Sequence, residues 1–138
     1  MPLKSSKMTK VKKLLEKRYK GKVLEQLAEK LYPLIDTVGY DGLVKVSDLG
    51  HHVAAGYSWR TPIIFLEKSP DIIDRIGCEG LEKFANIIRQ VVEHSERTAV
   101  SLIKKSPDII DRIGCDGFVT IYTKKRDLHA NSFYYFHF

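Results

Sequence analysis

The side chains able to do chemistry recur at one interval. Cys78 and Cys115 lie 37 positions apart, as do Asp71 and Asp108, and Asp74 and Asp111. Two cysteines suggest a metal or redox pair, and paired carboxylates suggest general acid–base work. Position explains each more simply. Both cysteines hold the same place in two copies of one segment, and an earlier copy has Tyr40 there. A place that accepts cysteine or tyrosine is a half-buried packing position, and adjacent copies stand about 10 Å apart, beyond disulfide reach. Asp71 and Asp108 are expected in the first turn of a short helix, where the dipole favours an acid. Asp74 and Asp111 are expected to pair with Arg75, Arg112 or a neighbouring copy. His51, His52, His94, His129 and His137 make no ligand spacing with the cysteines, and His51 and His52 point apart on a helix. No Ser-His-Asp set, phosphate-binding loop or dinucleotide fingerprint is present. No catalytic residue, metal or cofactor is expected.

Charge is the other chemical resource. The chain has 138 residues, 43% hydrophobic and 29% charged, with net charge +6. That is the make-up of a single soluble domain. The charge is uneven: residues 1–22 hold nine basic side chains against Glu16 alone, and the remainder is slightly acidic. Its commoner meaning is a solvated helical face. Its functional meaning is phosphate attraction, with Lys10, Lys12, Lys13, Lys17, Arg18, Lys20 and Lys22 as the candidate nucleic-acid contacts. No aromatic residue precedes Tyr19, so base stacking is not indicated. The longest strictly apolar run, Ile63 to Leu66, is far short of the ~20 residues that span a bilayer. Neither a membrane partner nor a secretory signal is expected, and two cysteines make no disulfide framework. The cytoplasm is the default location.

These residues must be positioned by a repeated unit. Ser69 to Gly80 recurs as Ser106 to Gly117 with only Glu79 changed, to Asp116. Upstream, Ser58-Trp59-Arg60-Thr61 matches Ser95-Glu96-Arg97-Thr98 at the same spacing, and a diverged copy runs from Pro33 to Gly42, one residue shorter. Ser69 is expected to cap a short helix with Pro70 in its first turn, and Gly77 to end it in a left-handed conformation. A longer amphipathic helix follows, with Leu81, Phe84, Ile87, Ile88, Val91 and Val92 on one face. A medium helix covers 61–68 and 98–105, so one repeat reads as long, medium and short helices. Residues 8–32 read as one long helix ended by Pro33. After Gly117 the apolar stripe fails at Lys124 and Lys125, Phe118 to Tyr122 is β-prone, and Ser132 to Phe138 is almost wholly aromatic. The preferred role for that tail is a cap over the open end.

The stretch from Gly42 to Gly117, with Ser58-Trp59-Arg60 before a helix and Ser69-Pro70-Asp71-Ile72-Ile73 after it, resembles the helical-repeat segments of CoxE-like proteins of the nitric-oxide-reductase-activation type. There such segments precede a von Willebrand A domain, whose metal motif this chain lacks. The resemblance implies a link to an AAA+ ATPase partner. More loosely the stretch is similar to HEAT-like repeats. The turns Gly39/Gly42, Gly77/Gly80 and Gly114/Gly117 are similar to a helix-hairpin-helix module, although each carries an acid that repels phosphate.

The expectation is an all-α, right-handed helical solenoid with a period of about 37 residues. It divides into a basic leader (1–22), a repeat domain (23–122) and an irregular aromatic tail (123–138). It would serve as a non-catalytic protein-interaction scaffold. Its partner surface is expected at His51, His52, Arg60, Arg89 and Gln90. Trp59 is expected as a core anchor, and the tail as a cap or as a contact with a second copy. Nucleic-acid binding through the leader and the Gly-x-x-Gly turns is the competing reading.

Overall fold

The computed structural model describes residues 2–54 and 59–128, and these form α-helices with no strand among them. In chain order they are α1 (Pro2–Leu15), α2 (Gly21–Leu31), α3 (Leu34–His52), α4 (Arg60–His94) and α5 (Glu96–Leu128). The helix expected over 8–32 is two helices. The backbone N–H groups of Arg18 and Tyr19 both donate to the Leu15 carbonyl at 3.0 Å, Lys20 is extended, and Gly21 takes φ 61°. The apolar stripe runs across this break because both helices bury the same face: Val11, Leu15, Leu27, Ala28 and Leu31 are all in the core.

The later helices share one device. Gly39 (φ 74°, ψ 172°), Gly77 (74°, 177°) and Gly114 (75°, 169°) leave the helical region in the same way and divide α3, α4 and α5. These angles combine positive φ with extended ψ, a region essentially closed to residues with a Cβ. The diverged copy therefore bends as the two close copies do. Three residues on, a Cβ at Gly80 would come within 2.6 Å of Ile76, and one at Gly42 within 2.7 Å of Val38. The second glycine lets the new segment start against the side chain that closes the old one.

The expected cap at Ser69 is not there. The helix runs through Ser69 and Pro70, so each copy holds two helical segments rather than three. Proline has no N–H, which leaves the carbonyl four residues back without its helical donor. The buried Ser69 hydroxyl donates to that carbonyl, Leu66 O, at 2.8 Å, and Ser106 does the same for Ile103 O at 2.7 Å ahead of Pro107. Asp71 and Asp108 consequently lie inside helices, not in first turns. A serine cap does occur at Ser95, whose Oγ accepts from the Thr98 N–H at 3.1 Å.

α4 packs most extensively on α5 and next on α3, while α1 packs on α2 and α3, and α2 packs on α4 and α3. The expected face of α4 is buried, with Leu81, Phe84, Ile87, Ile88, Val91 and Val92 in the core, and Leu43, Val46 and the neighbouring Val53 around α3 are buried as well. Phe65 and Phe84 stack across the kink with ring centroids 6.2 Å apart. Phe118 to Tyr122, β-prone by composition, are helical, and α5 passes the expected boundary at 123 to reach Leu128. The rest of the aromatic tail, with His129 and His137, lies outside the described residues.

Candidate functional site

The expected partner residues divide into a bonded junction and an exposed margin. His52, at the end of α3, faces Asn86 and Arg89 on α4. Arg89 Nη1 donates to the His52 carbonyl at 3.1 Å and approaches His52 Nδ1 at 3.4 Å, while His52 Nε2 lies 3.1 Å from Asn86 Oδ1. The hydrogen-bond roles that fit these partners are Nε2–H donating to Asn86 and Nδ1 accepting from Arg89. Arg89 also stands 4.0 Å from Glu93, one turn on. His51 is exposed, Gln90 is half-buried one residue beyond Arg89, and Arg60 is exposed at the start of α4. His52 and Arg89 thus hold α3 to α4, while His51 and Arg60 present themselves to solvent. Asn86 escaped the sequence reading. Its only signal was a polar residue one turn before Gln90.

Trp59 contradicts its expected role as a core anchor. It is 75% exposed, the largest apolar side chain on the described surface. Its neighbours Tyr57 and Ser58 lie outside the described residues. Trp59 precedes the first helical turn of α4, whereas Thr61, Pro62 and Phe65 within it are buried.

The leader is sorted by pairing. Lys4 meets Glu29 at 3.3 Å, Lys7 meets Asp36 at 2.6 Å, and Lys12 meets Glu25 at 2.9 Å. Arg18 donates to the Ser47 carbonyl and hydroxyl at 3.3 Å each and lies 3.6 Å from Asp48. The hydrogen bond to Glu29 raises the Lys4 pKa, and Lys4 also sits 5.2 Å over the Tyr32 ring. Burial raises the Tyr19 hydroxyl pKa, which marks the end of the leader as packed. Of the candidate phosphate contacts, Lys12 and Arg18 are therefore engaged within the protein. Lys10, Lys13, Lys17, Lys20 and Lys22 are exposed.

The remaining candidates have structural surroundings. Cys78 is half-buried against the core. Asp111 accepts a two-point contact from Arg75 of the preceding copy, at 2.8 and 3.2 Å, as the pairing expectation had it. The bond to Arg75 holds the Asp111 carboxyl below its usual range. Asp41 and Glu79 are exposed within the Gly-x-x-Gly turns, where they oppose an approaching phosphate. Among the described residues no group of His, Cys, Asp or Glu could hold a metal ion, and no helix is long and apolar enough to cross a membrane. No family model, curated protein or solved structure matches this chain.

Proposed function

We propose that the chain is a non-catalytic protein-binding scaffold of the cytoplasm, built from HEAT-like helical repeats of about 37 residues. The observation that carries this reading is the threefold recurrence of one backbone kink, at Gly39, Gly77 and Gly114, each between two helical segments. Stacked units of this kind make extended surfaces suited to partner proteins. The likeness of Gly42 to Gly117 to CoxE-like repeat segments points to the same role. The contact residues are His51, Gln90 and Arg60, with Trp59 next to Arg60 in the chain, since exposed Trp and Arg side chains are frequent interface anchors.

The test is capture of partners from cell extract by the immobilised full chain, compared with a Trp59→Ala, Arg60→Glu variant. A protein retained at about 150 mM salt by the wild type and lost by the variant supports the scaffold. Capture that the variant leaves unchanged moves the surface elsewhere. Retention of nucleic acid alone overturns the reading.

A further inference from the structure

We infer that Lys10, Lys13, Lys17, Lys20 and Lys22 form a strip that holds the phosphate backbone of double-stranded nucleic acid without reading its sequence. The fold itself separates these cations from their neighbours. Lys4, Lys7, Lys12 and Arg18 are matched one by one with Glu29, Asp36, Glu25 and Asp48, acids supplied by α2 and α3. What stays exposed is five lysines, with Glu16 the only acid within their stretch.

The spacing suits a duplex. Lys10 and Lys13 stand at i and i+3 on α1, about 4.5 Å apart along its axis at 1.5 Å per residue, and Lys17 follows in the turn after Leu15. Over the length from Lys10 to Lys13 a duplex presents about three phosphate charges. Lys20 and Lys22 extend the strip around the turn into α2. Among the described side chains of α1, Val11 and Leu15 are buried, and Met8 and Leu14 are half-buried against the core. None of these is left fully exposed to enter a bilayer, as an interfacial helix requires. No exposed aromatic ring lies on α1 to stack on a base. Contact is therefore electrostatic, and its mark is the salt dependence of counterion release.

The experiment titrates the full chain into a labelled duplex of about 20 bp, at salt between about 50 and 200 mM. With five phosphates engaged, affinity falls about 500-fold across that range, equally for two unrelated sequences. A Lys10→Gln, Lys13→Gln, Lys17→Gln variant loses only about 12-fold. A control of equal net charge, Lys4→Gln, Lys7→Gln, Lys12→Gln, removes paired cations and keeps the wild-type salt dependence. Thermal unfolding verifies both variants, and Lys4→Gln with Lys12→Gln replaces the control if it is poorly folded. Absence of binding at low salt overturns the inference, as does a control that flattens the salt dependence equally. Vesicles of anionic lipid or polyglutamate-rich protein binding more tightly than the duplex also overturn it.

Discussion

Ser69 and Pro70 act as a pair. Proline inside a helix costs about 3 kcal/mol, in part through the carbonyl it deprives of a donor. Ser69 Oγ meets that carbonyl inside the core, where water cannot. Ser69→Ala is therefore expected to lower stability by about 1–3 kcal/mol. In a Pro70→Ala background, residue 70 regains its N–H and the serine loses this task, so the same change becomes nearly neutral. Urea unfolding of the four proteins measures the coupling. Additive effects would show that the hydroxyl does not replace the missing donor. Ser-Pro was legible in the sequence as a helix signal, but with its sense reversed. The residues of a first turn and those of a compensated helix interior are identical when read locally. What separates them is whether 61–68 already forms a helix that continues, and that depends on the burial of Phe65 and Leu66.

The elements α3, α4 and α5 each consist of two segments joined at a glycine with positive φ. At Gly80 an added Cβ would meet Ile76 at 2.6 Å, whereas at Gly117 it would meet Ile113 at an ordinary 3.5 Å. Overpacking costs about 1–3 kcal/mol, so Gly80→Ala is expected to destabilise by that amount and Gly117→Ala by clearly less. Gly77→Ala is costly for a different reason, about 1–3 kcal/mol of backbone strain that shrinking Ile76 does not relieve. Chemical denaturation of Gly80→Ala and of Gly77→Ala, each with and without Ile76→Ala, separates the two causes. Partial rescue at Gly80, where the Ile76 γ and δ carbons are removed and its Cβ stays, and none at Gly77 is the expected result. The two glycines and the flanking apolar faces were legible because their chemistry is local. The break at Gly21 was not, since hydrophobic periodicity continues on both sides of it.

Across the whole molecule, ion pairs tie successive elements at the surface: Lys12–Glu25 joins α1 to α2, Lys45–Glu82 joins α3 to α4, and Arg75–Asp111 joins α4 to α5. Such pairs are exposed and screened, so they set register more than stability. Their pH dependence has a definite sign. Asp111 is depressed by its hydrogen bond to Arg75, so its contribution is present above the unfolded carboxyl's pKa and disappears as pH falls through the lower folded value. The Lys45 pKa is raised by its hydrogen bond to Glu82, so its contribution holds at neutral pH and fades only on strong alkalinisation. The stability difference between the wild type and Asp111→Asn, followed by urea midpoints, is expected to be steady above about pH 5 and to close toward about pH 3. A difference that widens on acidification would refute the assignment.

By itself the sequence determined that the chain is helical, which faces of its helices are apolar, and where three equivalent kinks fall. Each of these depends on residues within a few turns of one another. Tertiary structure alone decided that Trp59 faces solvent, that Ser69 repairs a helix instead of starting one, and that only some lysines of the leader remain available to a partner. Those outcomes turn on which distant side chain arrives alongside, as Glu25 does for Lys12 and Asp48 for Arg18. A charge count cannot distinguish a lysine already neutralised by a neighbouring helix from one left in water.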